Sequence, residues 1–186
     1  MKAYRILLQA LLVFALAAGT AFAQDKAKKQ AEIQAATNSA LERFFKAKPE
    51  LRGEVAKAPG YGVFTSYGLS FLVGGAGGSG LVHNNKTKTN TYMNMAQASA
   101  GVMMGASETQ HLIIFKTTKA MEQFVNSGWE AGASAQAAAG AGGKSAGGGI
   151  GENAIADARF YTHTKTGFEA GGAVAGTKFW KDKELN

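Results

Sequence analysis

A glycine-rich, apolar stretch between Gly60 and Val82 constrains the fold of this chain more than any other feature. Eight glycines are mixed there with aromatic and β-branched residues such as Phe64, Phe71 and Val73. A flexible linker lacks this apolar content, whereas glycine within an apolar strand pattern is typical of bulges, sharp bends and closely approaching backbones. The stretch therefore predicts strand, turn and strand in a sheet that curves where side chains are missing.

The flanking segments predict an α+β fold. Apolar residues recur at three- and four-residue steps between Asp25 and Lys48 and predict a helix that Pro49 ends, followed by a second short helix over Glu50–Lys57. A further helix over Lys119–Asn126 is predicted with Thr117 or Thr118 as its cap and Ser127-Gly128 as its end. The predicted strands are Tyr61–Ser66, Leu69–Gly75, Ser79–His83, Thr89–Met95, Gln97–Ala106, Gln110–Lys116, Trp129–Ala139, Asp157–His163 and Phe168–Phe179. The expected architecture is a curved antiparallel β-sheet or partial barrel with N-terminal helices and one inserted helix.

The first 23 residues have the pattern of a secretory signal peptide. Lys2 and Arg5 precede an apolar run over residues 6–18, and Ala21-Phe22-Ala23 offers small residues for cleavage before Gln24. The alternative is an uncleaved membrane anchor, although the run is shorter than the roughly 20 residues that span a bilayer. We therefore expect a signal peptide over 1–23, a helical segment over 24–58 and a glycine-rich β region over 59–186, the last two forming one domain.

The chain contains no cysteine, which excludes disulfides, thiolate chemistry and the acylated cysteine of a bacterial lipoprotein. The predicted location is therefore periplasmic or secreted, without a lipid anchor. Without Lys2 and Arg5 the chain retains 18 basic and 13 acidic residues, an excess of +5. This excess favours weak attraction to anionic surfaces, and a secreted protein meets lipid before it meets nucleic acid.

Two glycine motifs resemble nucleotide sites but lack the context that those sites need. Residues 75–80 match the GxGxxG pattern, yet Leu81-Val82-His83 continues as a strand where a helix should receive the pyrophosphate. Gly143-Lys144-Ser145 resembles the end of a phosphate loop, and Ser145 also fits a GxSxG hydrolase pattern, but no strand and helix flank it. We therefore predict no cofactor and no catalytic residue.

The three histidines do not form a metal site in the sequence. His83, His111 and His163 are not at metal-ligand spacing, and each is expected at the surface or at a strand edge. No metal is predicted.

A basic and aromatic segment at the end of the first helix is the candidate binding site. Basic residues beside bulky apolar ones suit a helix at a membrane interface, where the rings enter the acyl boundary and the cations meet phosphates. The alternative is that the phenylalanines pack on the sheet and the cations are solvated. The predicted lipid-binding residues are Arg43, Phe44, Phe45, Lys46, Lys48 and Arg52.

Four stretches in this order resemble the SYLF domain family of lipid-binding modules. They are Leu41-Glu42-Arg43-Phe44 with Pro49-Glu50-Leu51, Leu72 to Leu81, Leu112-Ile113-Ile114-Phe115 with Lys119 to Phe124, and Tyr161 to Gly171. The resemblance implies phospholipid binding without catalysis, with an anionic phospholipid or a membrane surface as the partner and no nucleic acid.

Three other hypotheses remain open at this point. Small residues at Ala133, Ala135, Ala137, Gly171 and Ala173 could leave room for one acyl chain inside the curved sheet, unless aromatic residues fill it. Alternatively, the chain is a structural or interaction protein of the envelope that uses edge strands or the loop over 140–151. The least favoured hypothesis is a hydrolase that uses Ser145.

Overall fold

The computed structural model describes residues 2–71, 73–100, 105–130, 157–164, 167–170 and 177–186. Their helices are α1 (Lys2–Ala47), α2 (Leu51–Lys57) and α3 (Thr118–Ser127). Their strands are β1 (Gly60–Phe71), β2 (Val73–Asn84), β3 (Thr89–Ala100), β4 (Gly105–Phe115), β5 (Trp129–Glu130), β6 (Ala158–Thr164), β7 (Gly167–Ala170) and β8 (Thr177–Lys181). The predicted α+β class is confirmed.

The strands form one antiparallel sheet in the order β5-β8-β3-β2-β1-β4-β6-β7, and over the described residues it is not closed. Its curvature is visible in a ring contact across the sheet. The rings of Phe64 on β1 and Phe179 on β8 lie 4.8 Å apart between centroids. In a flat sheet three strand spacings would separate these strands by about 14 Å. The sheet therefore curls so that β1 and β8 face each other, which confirms the curved sheet predicted from the glycine pattern.

The two faces of the sheet carry separate apolar clusters. The concave cluster packs α3 onto the inside of the curl and consists of Phe64, Val82, Met93, Met95, Ile113, Phe115, Met121, Phe124, Ala158 and Phe179. The convex cluster packs α1 and α2 onto the outside and consists of Ala40, Leu41, Phe44, Leu51, Val55, Val63, Leu112, Ile114 and Tyr161. Alternate residues of β1 and β4 serve the two clusters, as the two-residue period of a strand requires.

Close contact between β1 and β2 explains why glycines line this part of the sheet. A Cβ atom at Gly78 would overlap the carbonyl oxygen of Thr65, and one at Gly80 would overlap the carbonyl oxygen of Val63. Both obstacles are backbone atoms, so no side-chain rotation can make room. Gly77 differs, because a Cβ atom there would meet nothing within 4 Å.

Replacing Gly80 by alanine is therefore expected to destabilise the protein, whereas the same change at Gly77 should have little effect. Overpacking typically costs about 1–3 kcal/mol, and this range applies to Gly80→Ala because the backbone itself must shift. Urea unfolding of both variants followed by circular dichroism would measure the difference. Equal free energies of unfolding for the two variants would contradict this account of the glycine pattern.

Local capping signals fix α3 as the sequence predicts. Thr117 is its N-cap, and its side chain accepts a hydrogen bond from the amide of Ala120 at 3.2 Å. The helix ends at Gly128, whose φ of 69° lies in the left-handed region that glycine tolerates. Both ends of α3 are therefore encoded by adjacent residues.

Several strand predictions are wrong in detail. The predicted strand over 97–106 is divided, because β3 continues to Ala100 and β4 begins at Gly105. β1 continues to Phe71, which pairs with Val73 of β2, so residues 69–71 belong to β1 and not to the second predicted strand. The predicted strand over 168–179 is divided, because β7 pairs with β6 whereas β8 pairs with β3 on the other side of the sheet. The predicted strand from Trp129 is described only as far as Glu130, and the loop over 140–151 lies outside the described residues.

The segment that follows β8 fastens α1 to β3. Gln30 of α1 donates a hydrogen bond to the carbonyl oxygen of Leu185 at 2.7 Å, and Leu185 is buried against Leu81 and Tyr92. Burial opposes ionisation of Asp182, but hydrogen bonds from the Asn94 side chain and from two backbone amides outweigh it and lower the pKa of this carboxyl group. These contacts set the position of α1 along the sheet.

None of the helices in the described part of the chain is long and apolar enough to cross a membrane. Gln24, the first residue after the predicted cleavage point, lies within α1. The signal peptide and the domain division remain predictions.

Candidate functional site

Phe44 belongs to the core, so its predicted role as an interfacial ring is wrong for this fold. Its side chain is fully buried in the convex cluster, and its ring meets that of His163 edge-on at a centroid distance of 6.0 Å. The apolar face of α1 was predicted correctly, and Phe44 lies on that face, towards the sheet. A ring in that position cannot enter an acyl layer unless α1 leaves the sheet.

Phe45 is half-buried beside the convex cluster and is partly covered by Arg52 of α2. The guanidinium carbon of Arg52 lies 4.6 Å from the centroid of the Phe45 ring, a cation–π geometry. The same guanidinium forms an ion pair with Glu42 at 3.3 Å. Two of the predicted residues, Phe45 and Arg52, are therefore in contact. Arg52 also has an acidic partner, Glu42, which was not predicted.

Lys48 also has an acidic partner. Its Nζ lies 3.8 Å from a carboxylate oxygen of Glu50 and 5.6 Å from the centroid of the Tyr161 ring. Exposed pairs of this kind contribute about 0–1 kcal/mol, so a phosphate could displace the carboxylate at small cost.

Arg43 and Lys46 are the exposed cations of the predicted site that remain available. They lie three residues apart and therefore share one face of α1. Arg43 donates hydrogen bonds to the side chain and carbonyl oxygen of Ser39, and neither cation forms an ion pair with the described residues. The predicted site is thus reduced to two available cations next to a partly covered ring.

His111 was expected at the surface or at a strand edge, and this prediction is wrong. It lies on the concave face of β4 with no exposed surface, where its Nε2 is 3.2 Å from the hydroxyl of Ser66 and its Nδ1 has no hydrogen-bond partner among the described residues. Burial lowers the pKa of His111 to about 4, so the ring is neutral at physiological pH. The strand pattern could have indicated this burial, because Ile113 and Phe115 share the same face.

The other two histidines make structural contacts with neighbouring side chains. His83 hydrogen-bonds the side chain of Asn90 at 2.7 Å, and His163 packs on Phe44. Across the residues that the structure describes, no three His, Asp or Glu side chains come together as metal ligands.

Two crevices border the sheet. One, of about 250 Å³, separates α1 from β1 and β2, and the largely exposed Tyr67 stands at its edge. The other, of about 380 Å³, lies beside α3 and is lined by Lys119, Trp129 and Asp157 among others. The part of the concave face that the structure describes is filled by the rings of Phe64, Phe124 and Phe179. The small residues on which an internal acyl chain would depend, Ala133, Ala135, Ala137, Gly171 and Ala173, lie outside the described residues.

The glycine motif at residues 75–80 lies inside β2, and β3 follows it after a turn. The expected strand is confirmed, so this motif presents no helix N-terminus to a phosphate. The motif around Ser145 lies outside the described residues.

Comparison with known proteins gives two matches. Residues 96–186 match a family model described as "Ysc84: Las17-binding protein actin regulator". The chain is also 30% identical over 168 residues to "Beta cell expansion factor A" of Aeromonas veronii. That alignment covers 86% of this chain and 60% of the relative, so the chain spans less than two thirds of the relative's length.

The family match includes two of the four stretches that predict the relationship, those beginning at Leu112 and Tyr161. The stretches beginning at Leu41 and Leu72 precede it. The resemblance to the SYLF family that the sequence predicts is therefore confirmed, with the family match lying in residues 96–186.

Proposed function

We propose that this chain is a non-catalytic phospholipid-binding protein of the bacterial cell envelope, which contacts anionic headgroups through exposed cations. The SYLF family is associated with lipid binding. The observation that supports this function most directly is the exposure of Arg43 and Lys46 beside Phe45, with no acidic partner among the described residues. Each such cation near an anionic bilayer contributes about 1 kcal/mol, and salt weakens the attraction.

Co-sedimentation with vesicles would test this function. The protein is expected to sediment with vesicles that contain phosphatidylglycerol at low salt and to be released as the salt concentration rises. Recovery with pure phosphatidylcholine should be much lower, because the attraction is electrostatic. Equal recovery with both vesicle types would contradict binding through the cations, and no recovery with either would contradict lipid binding.

The envelope location rests on the signal peptide pattern in residues 1–23. When the full chain is produced in a bacterium, N-terminal sequencing of the exported protein is expected to begin at Gln24. A protein that keeps Met1 or remains in the cytoplasm would contradict this proposal. A substitution of Ala23 by a large residue would serve as the control, since it should block cleavage and leave the folded domain unchanged.

A structural or interaction role in the envelope is the second candidate. It is favoured by exposed aromatic side chains at Tyr67 and Trp180, which are 64% and 39% exposed. Cross-linking in cells that captures one dominant protein, in the same amount whether or not anionic lipid is present, would favour this role over lipid binding.

A further inference from the structure

Five lysines gather at one end of the sheet, although they are far apart in the sequence. The register pairs Thr89 with Asn84, Asn84 with Gly60, Gly60 with Phe115 and Phe115 with Ala158, so these residues form one row across five strands. We call the surface beyond this row the turn end. The five lysines at the turn end are Lys57, Lys86, Lys88, Lys116 and Lys119.

These lysines lie close together because the segments that carry them are neighbours. Lys86 and Lys88 occupy the turn between β2 and β3, Lys57 ends α2 just before β1, and Lys116 and Lys119 follow β4. Three strand spacings, about 14 Å, cover the distance from β3 to β4. All five side chains are exposed, and none forms an ion pair with a residue that the structure describes.

Few carboxylates oppose this charge. Asp157 lies at the turn end, and Glu122 follows Lys119 by one turn of α3. Glu54 is already paired with Arg159 at 2.6 Å. In the other direction along the central strands, residues 66–81 and 95–107 contain no Lys, Arg, Asp or Glu, and the nearest cations are Lys178 and Lys181 on β8. The central strands are therefore electrically asymmetric, with the cations next to them concentrated at the turn end.

The turn that carries Lys86 and Lys88 is held rigidly. The Asn84 side chain accepts hydrogen bonds from the amides of Lys86 and Thr87 at 2.9 and 3.0 Å. The Asn85 side chain donates to the carbonyl oxygens of Val55 and Ala58 at 2.7 and 2.8 Å, which ties the turn to α2. The two backbone segments that carry these lysines are thus fixed relative to each other before any partner arrives.

The backbone at Lys88 gives an independent indication of function. Its φ is 59°, in the left-handed region where glycine or asparagine is favoured and a lysine is strained. Strained backbone of this kind concentrates at functional sites. Glycine would fit this turn position without strain, so the lysine side chain is kept here at a cost in stability.

We infer that the turn end is the main surface by which this protein contacts an anionic phospholipid bilayer. This inference rests on the proposed function. It assigns the larger share of the lipid binding to the turn end and the smaller share to Arg43 and Lys46. Lysine ammonium groups are hydrated point charges without the fork geometry of arginine, which suits a fluid layer of headgroup phosphates. Tyr67 and Trp180, the large aromatic residues that are exposed among those described, lie outside the row, which favours a layer of phosphates over stacked bases.

Two matched variants of the full chain test the inference on vesicles with and without phosphatidylglycerol. Lys86→Gln, Lys88→Gln and Lys116→Gln together remove three charges from the turn end. Arg43→Gln, Lys46→Gln and Lys48→Gln together remove three charges from α1 and its C-terminal neighbour. The first variant is expected to lower the partition coefficient about a hundredfold at low salt, and the second only a few-fold.

Equal losses in the two variants would overturn the inference, because they would show that only net charge matters. If the unaltered protein fails to bind anionic vesicles, the proposed function itself falls. Retention on single-stranded DNA without vesicle binding would overturn the choice of lipid. These results are distinguishable, because the unaltered protein is measured first.

The variant Lys88→Gly separates the effect of the Lys88 charge on vesicle affinity from the effect of the backbone on stability. Glycine relieves the strained φ, so thermal unfolding should occur at the same temperature or slightly higher, while vesicle affinity falls about fivefold. Unchanged affinity with unchanged stability would show that Lys88 has no part in the contact.

Discussion

Lowering the pH from 7 to 4 is expected to remove about 3 kcal/mol from the free energy of unfolding through His111 alone. Burial lowers its pKa to about 4 in the folded protein, whereas an unfolded histidine titrates near 6.5. Between these values the unfolded chain binds a proton that the folded chain rejects, so stability falls as the pH falls. The contribution is fully present above about pH 6.5 and is lost progressively towards pH 4.

Urea unfolding at several pH values would measure this dependence, and His111→Leu provides the comparison. Leucine is close to histidine in volume and has no proton to bind, and Ser66 keeps its contact with the carbonyl oxygen of Thr109 at 3.4 Å. The variant should therefore lose stability less steeply than the native protein between pH 6.5 and 4. Parallel curves would show that His111 is accessible to protons in the folded state.

Replacing Phe44 by alanine is expected to cost about 3–5 kcal/mol of folding free energy, because a fully buried ring leaves a cavity between α1 and the sheet. Phe45→Ala is the matched control on the next residue. Its ring is only half-buried at the edge of the convex cluster and lies against the Arg52 guanidinium, so the cost should be smaller, about 1 kcal/mol. Chemical denaturation of both variants gives the comparison.

The same pair of variants separates stability from binding. If Phe45 enters the lipid, Phe45→Ala should lower vesicle affinity while the protein remains folded. If instead the two variants are destabilised equally, α1 is rotated about its axis so that Phe44 is not buried more deeply than Phe45. If Phe44→Ala is stable and binds vesicles poorly, Phe44 is an interfacial residue after all.

Features that depend on neighbouring residues could be predicted from the sequence. The cap at Thr117, the glycine at the end of α3 and the buried strand around Leu112 each follow from a few adjacent side chains. The end of α1 near Pro49 is of the same kind, because proline cannot continue the hydrogen bonding of a helix interior. These elements appear where the pattern places them.

Features that depend on the curl of the sheet could not be predicted in this way. The register in which β1 pairs with β2 is hidden because the glycines of β2 give little alternation of side chains to set it. The contact between Phe64 and Phe179 exists because β1 and β8 face each other, and no local pattern reports that contact. The gathering of Lys57, Lys88 and Lys116 is likewise a consequence of register across strands.

The pairing of β3 with β8 has a consequence for how the chain acquires its structure. β1, β2, β3 and β4 follow one another closely, and each can pair soon after it emerges during synthesis or export. The outer edge of β3 must wait for β8, whose first residue lies 77 positions after the last residue of β3. Until then its amides and carbonyls remain open to strands of other molecules. We therefore expect the nascent chain to need a holding chaperone, and chains interrupted before Thr177 to aggregate.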